Sequence, residues 1–189
     1  CAGRSRTTCA EPAKRAPQVW ARASMLSSTT QAAAWATWAR TAKTTCAGRS
    51  VSSEVVLVDT GPLVALFDPS DRDRASCRAC LDSLEDADLV TTEAVVTEAL
   101  YLLAFALRAQ VAFLEFLASG RPRVEPLAPT DRRHAARLIE KYADLPMDYA
   151  DATLVTLAER LDATRVFTLD RKDFGIYRPR RRRFVVIPE

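Results

Sequence analysis

The sequence predicts an α/β fold, a three-layer α/β/α sandwich built around a mostly parallel sheet. Three observations carry that expectation. Short apolar runs alternate along the chain with longer stretches of helical period, the pattern of repeated strand–helix units. The strand-like runs are nearly continuously apolar rather than alternating, as strands covered on both faces must be. The region that carries them, residues 51–189, is long enough for one domain with a sizeable core.

The elements follow in order. Glu54-Val55-Val56-Leu57-Val58-Asp59 is the first buried strand, and Thr60-Gly61-Pro62 turns the chain into a brief helix over 63–67, with Pro62 suited to its first position. Ala75, Cys77, Leu81 and Leu84 mark a helix from about Ser70 to Leu84. Leu89-Val90-Thr91 reads as a second strand. Thr92 caps a helix carrying Val95, Val96, Ala99, Leu100, Leu102 and Leu103. A further amphipathic stretch over 109–118 stops at Gly120. The run 123–127 is a marginal strand, because Pro126 cannot donate to a ladder. Thr130 or Asp131 caps a helix through Tyr142, and Pro146 separates it from another running from about Asp148 to Leu161. Strands over 165–168 and 184–187 complete the series.

Residues 1–50 differ in kind. They hold eight Lys or Arg and one acid, a net charge of about +7, while residues 51–189 hold nineteen against twenty-three, about −4. The chain's formal +3 therefore conceals a slightly acidic domain. No sustained period links Trp20, Trp35 and Trp38, and Cys-Ala-Gly-Arg-Ser at 1–5 and 46–50 is too short for a structural repeat. Ala32-Ala33-Ala34-Trp35-Ala36 is too brief for a signal-peptide core, and a transit peptide is the weaker alternative. The segment reads as a disordered or spurious N-terminal extension, with a start at Val51 as one expectation. No stretch approaches eighteen apolar residues, so no membrane span is expected, and a cytoplasmic protein is. Cys77 and Cys80 have the spacing of a metal or redox pair. With no second pair in the domain and His134 the only histidine, they read as helix-facing thiols in a reducing compartment.

Four acids stand in or beside apolar segments: Asp59, Glu98, Asp151 and Asp170. Burying a carboxylate costs several kcal/mol, about the scale at which compensation is required. Ligand sites in parallel sheets form beyond the carboxyl ends of the strands. Asp59 ends the first strand, Asp170 lies two residues beyond Thr168, Asp151 sits in the first turn of its helix and Glu98 in the second turn of its own. Meeting at one edge, four carboxylates would repel one another unless a hard cation, Mg²⁺ or Mn²⁺, lay between them. An oxygen-only site of this kind suits phosphodiester hydrolysis: one ion activates a water, and a second stabilises the leaving oxygen. With one His and no Gly-x-x-x-x-Gly-Lys-Ser/Thr loop, acyl transfer and P-loop chemistry are poorly supported. On spacing alone, Asp170 also reads as a turn residue and Asp151 as a helix-start charge.

The words 56–68 (VLVDTGPLVALFD), 97–103 (TEALYLL), 147–155 (MDYADATLV) and 167–174 (FTLDRKDF) add what spacing cannot. In order and separation they resemble the PIN-domain family, and within it the VapC-like toxin ribonucleases of toxin–antitoxin pairs. The resemblance covers essentially all of 55–188. It implies a PIN-like nuclease domain over 51–189, with the family's four acids falling on Asp59, Glu98, Asp151 and Asp170 as catalytic and metal-binding residues. It also implies a Mg²⁺- or Mn²⁺-dependent endoribonuclease, a homodimer and a cognate antitoxin as partner. A catalytically silent PIN-like RNA-binding or scaffold module is the alternative, and a metal phosphatase or DNA nuclease a further one.

Around these acids, Asp148 reads first as an N-cap and second as a ligand. Asp173 reads either as an outer-shell group or as the stabiliser of the Arg171-Lys172 turn. Thr60 and Thr168 are candidates to hydrogen-bond a ligand carboxylate, or to satisfy backbone. Arg178 and Arg180, Arg181, Arg182 and Arg183 form a basic loop, read as a solvated face or as an RNA phosphate contact. The apolar helices around Tyr101–Phe105 and Phe113–Phe116 are core, with an exposed part available to a second copy or an antitoxin helix.

Overall fold

The computed structural model describes residues 54–145 and 147–189. The expectations placed on residues 1–50, on a start at Val51 and on Pro146 lie outside them. The chain runs β1 (Val55–Val58), α1 (Thr60–Phe67), α2 (Arg74–Ser83), β2 (Asp88–Thr91), α3 (Glu93–Leu102), a 3-10 turn (Leu103–Phe105), α4 (Leu107–Ala118), β3 (Arg123–Val124), α5 (Pro129–Lys141), α6 (Tyr149–Leu161), β4 (Arg165–Phe167), α7 (Arg171–Phe174), a second 3-10 turn (Pro179–Arg181) and β5 (Val185–Ile187). The five strands form one sheet in the order β3-β2-β1-β4-β5, and each neighbouring pair is parallel.

The continuous apolar runs have the meaning expected of them. Val56, Leu57 and Val58 are all buried, although successive side chains point to opposite faces, so both faces of β1 are covered by helices in three layers. Complete burial of each such side chain is worth about 1.5–3 kcal/mol. On the α4 side, Phe67 packs edge-on against Phe113 with ring centroids 5.4 Å apart, and tilted against Phe116 at 5.5 Å.

The strand order places the site. The chain steps outward from β1 to β2 and β3, then returns to lay β4 on the other side of β1. That reversal opens a crevice beyond the carboxyl ends of β1 and β4, the switch point where open α/β sheets bind ligands. Gly61 lets the two ends approach, since a Cβ there would lie 3.3 Å from Leu169 Cβ.

Several local expectations are revised. The first helix begins at Thr60, with Asp59 at its N-cap and Pro62 at its third position, where a missing N–H still costs nothing. Neither Thr130 nor Asp131 is the N-cap of α5. Pro129 opens that helix after Ala128, and the Asp131 carboxylate accepts the Ala128 N–H at 2.9 Å. Asp131 also pairs with Arg160, which reaches Glu125 Oε1 at 2.7 Å and so ties α5, α6 and the end of β3 together. The marginal strand shrinks to Arg123–Val124. Residues 171–174 form a short helix where only a turn is expected.

Cys77 is buried and Cys80 half-buried, both unbonded within α2, and burial pushes the Cys77 thiol up to about 12. That is the chemistry of packing, not of metal or redox exchange. Among the described residues no helix is long and apolar enough to cross a membrane.

Candidate active site

The four predicted acids converge on the crevice. Asp59 leaves β1 into the N-cap of α1, buried, with its N–H donating to Phe167 O of β4 at 2.9 Å. Thr168, also buried, donates its hydroxyl to Asp59 Oδ2 at 2.6 Å, and Thr168 Oγ1 in turn accepts the Asp170 N–H at 2.9 Å. One threonine thus couples the ends of two neighbouring strands, orienting the Asp59 carboxylate and fixing the backbone at Asp170. Thr60 donates to Glu98 Oε2 at 2.7 Å, which draws the α3 carboxylate to the same mouth. Thr60 therefore serves a carboxylate, and Thr168 serves both a carboxylate and a backbone N–H.

Asp151 is placed by α6. Asp148 caps that helix, its Oδ1 accepting the Asp151 N–H at 2.8 Å. The first reading of Asp148 therefore holds, yet its charge also acts on Asp59 and Asp151. A buried pair, Thr92 and Thr153, joins the start of α3 to α6 through hydroxyls 2.8 Å apart. Tyr177, wholly buried, donates to Asp151 Oδ2 at 3.0 Å. Nothing local in the sequence points to this tyrosine. It stands 26 residues from Asp151, and only the packing of Phe174, Tyr177 and Tyr142 brings it there.

The electrostatics are those of crowded acids. Burial first, then Glu98 and Asp148, hold the Asp59 carboxyl up at about 6 against the bonds from Thr168 and Thr60 that favour its charge. Burial, then Asp148 and Asp59, raise Asp151 to about 7, opposed by the Tyr177 hydrogen bond. Tyr177 itself is held well above the ordinary phenol range by burial and by Asp151. Asp170 is exposed and caps α7, accepting the Asp173 N–H at 2.9 Å. Asp173 is buried, and its Oδ1 has no hydrogen-bond partner among the described residues, so it is more than a surface turn residue.

The donor set, oxygen only and mutually repelling, fits a hard divalent cation. Among the described residues no three His, Cys, Asp or Glu side chains close into a ready ligand shell. Thr60, Thr168 and Tyr177 each donate to one of these carboxylates, on oxygens that a cation would share.

The arginines do not join the acids. Arg180 and Arg182 pair with Asp162, just past the C-terminus of α6, and the Arg180 N–H donates to Glu159 Oε1 at 3.1 Å. Because β5 starts just after them and is parallel to β4, residues 180–183 lie at the amino edge of the sheet, opposite the acids. Arg178 spends its guanidinium on the carbonyls of Gly175 and Tyr177.

The description "PIN domain" belongs to the family model that matches residues 56–178. The chain is 38% identical over 136 residues to Ribonuclease VapC26 of Mycobacterium tuberculosis (strain ATCC 25618 / H37Rv), an alignment spanning 70% of this chain and 100% of that protein. Among solved structures it is similar to the Mycobacterium tuberculosis VapC20 toxin, described as cleaving the Sarcin-Ricin loop. That match has a TM-score of 0.57 and 20% identity over 62% of this chain and 91% of that one. FitAB bound to the IR36 DNA fragment matches with a TM-score of 0.50 and 20% identity, over 69% and 94% of the two chains. The two structural matches bear on the fold.

Proposed function

The chain belongs to the PIN-domain family, and on that premise we propose that it is a metal-dependent endoribonuclease, the toxin of a toxin–antitoxin pair, with its domain over 51–189. The observation that carries the reading is the crowding of Asp59, Glu98, Asp151 and Asp170 at the switch point, with Asp59 and Asp151 held well above ordinary carboxylates. These four are the proposed ligands of Mg²⁺ or Mn²⁺. Such an ion, when bound, supplies charge for the scissile phosphate and a water of lowered pKa.

The chain's own groups do the positioning. Thr168 fixes the rotamer of Asp59, Thr60 fixes Glu98, and the Asp148 cap and Tyr177 hold Asp151 from opposite ends. Asp148 and Asp173 stand behind these four as supporting acids in the same proposal. Incubated with RNA, DNA and a small phosphoester, the protein is expected to cut RNA internally with Mg²⁺ or Mn²⁺ and to leave it intact in EDTA. Equal turnover of DNA or the small ester would favour a general phosphodiesterase. Binding of RNA without any cleavage would favour the silent module.

A partner surface belongs to the same reading. Tyr101, Leu102, Phe105, Leu107, Val111 and Leu114 are all exposed along α3, the 3-10 turn and α4. Leu107, Val111 and Leu114 share one stripe of α4, flanked by that helix's two charges, Arg108 and Glu115. An antiparallel copy would set Arg108 near Glu115 of its mate, so a homodimer is the proposed occupant. Leu107→Glu is expected to convert a dimer to a monomer in sedimentation equilibrium; an unchanged mass removes the stripe from the interface. The antitoxin and a cytoplasmic location follow from the toxin reading and stand with it.

A further inference from the structure

We propose that α5 carries the track along which the RNA backbone reaches the acids, a step that rests on the ribonuclease reading. Arg133, Arg137 and Lys141 recur every four residues, all exposed, on the flank of α5 turned away from the buried Asp131, Ala135 and Leu138. Each step rises about 6 Å along the axis, so the three cations form a regular row. None of the three has an acidic partner among the described residues. The expected phosphate contacts at 180–183 are different, since Arg180 and Arg182 are committed to Asp162 at the opposite edge of the sheet.

The row also leads somewhere. Lys141 Nζ donates to Tyr142 OH at 3.2 Å and lies 4.6 Å from that ring's centroid. The Tyr142 ring meets Tyr177 edge-on at 5.2 Å, and the Tyr177 hydroxyl donates to Asp151. Two aromatic rings therefore separate the last cation of the row from a proposed metal ligand. Residues 51–189 carry a net charge of about −4, and the acid cluster itself repels a polyanion, so a substrate needs a cationic lead-in. A row of evenly spaced cations that ends at the acids suits the repeating phosphates of a single strand.

The test uses the full chain and the triple variant Arg133→Gln, Arg137→Gln, Lys141→Gln. Binding of a fluorescent oligouridylate is followed by anisotropy from 50 to 200 mM salt, with EDTA present to suppress turnover. Loss of three phosphate contacts is expected to weaken binding about tenfold or more at low salt and to flatten the salt slope by about 2. With Mg²⁺ restored, KM is expected to rise while kcat holds. The charge-preserving variant Arg133→Lys, Arg137→Lys is expected to keep both affinity and slope, which a folding defect would not allow. If the wild type cleaves RNA and the triple variant matches it in affinity, slope and KM, the track is wrong and the nuclease reading survives. If the wild type neither binds nor cleaves, the nuclease reading fails and takes the track with it. Displacement of oligouridylate by polyglutamate at matching concentration would overturn RNA in favour of an acidic protein partner.

Discussion

Asp59→Asn and Asp151→Asn are each expected to lower RNA cleavage by about 10³-fold while the protein stays folded and, without metal, becomes more stable. The two effects have one cause. Both carboxyls are held above their ordinary range because burial and neighbouring acids oppose their charge. An amide keeps the shape and can still accept the bond from Thr168 or Tyr177, but it brings no charge to hold a cation. Activity falls as stability rises, the trade expected where a site stores repulsion. Asp148→Asn is the control, because Asn caps a helix about as well as Asp. It keeps the cap and relieves part of the repulsion on Asp59 and Asp151, so a smaller metal-free gain in stability is expected, and its cleavage rate reads out whether that acid only caps or also supports the site. Wild-type turnover by either of the first two variants would falsify the metal mechanism.

Without divalent cations, the protein is expected to be more stable near pH 5 than near pH 8. Asp59 sits at about 6 and Asp151 at about 7 in the folded chain, against 3.8 for the free side chain. The folded state therefore binds more protons than the unfolded one between roughly pH 4 and 7. Its advantage is fully present below the unfolded value and is lost as pH rises through 6 and 7. At about 1.4 kcal/mol per pH unit, Asp59 near 6 contributes about 1.4 kcal/mol of the stability lost between pH 5 and 8. Asp151 titrates higher in the same window and adds a comparable amount once solvent screening of its partly exposed carboxyl is discounted. Together they should lower the melting temperature by on the order of 10 °C between pH 5 and 8. Mg²⁺ is expected to reverse that trend, since it binds the ionised cluster of the folded chain and not the unfolded chain. Melting curves across pH, with EDTA and with Mg²⁺, check both parts, and Asp59→Asn should flatten the slope. A metal-free melting temperature that climbs from pH 5 to 8, or indifference to Mg²⁺ at pH 8, counts against a shared cation site.

How far the sequence reaches is visible residue by residue. Val56 to Val58 announce a strand covered on both faces because continuous apolarity leaves no side for water. Asp148 announces its helix because a cap acts within three residues. Asp59, Asp151 and Asp170 stand out because strand ends and helix starts are local, whereas Glu98 lies in the middle of its helix, and the grouping of the four as one proposed site rests on the family resemblance as well as on spacing. The first helix starts three residues before the expected 63–67 because a turn and a first helical turn share Gly and Pro, and its N-cap acid is the candidate site residue itself.

The tertiary structure alone decided matters that depend on which strand lies beside which. Insertion of β1 between β2 and β4 makes the ends of β1 and β4 a crevice and sets Thr168 against Asp59, 109 residues away. The same order sends residues 180–183 to the far edge and leaves the row on α5 pointing at the acids. It also seats Tyr177 against Asp151. Periodicity and capping act over one or two turns of chain, so the sequence determined most of the elements and the acids upon them, while several of their ends shifted by a few residues. Hydrogen bonding between strands and packing between rings act across the fold, and those contacts decided how the acids are oriented and from which side a substrate reaches them.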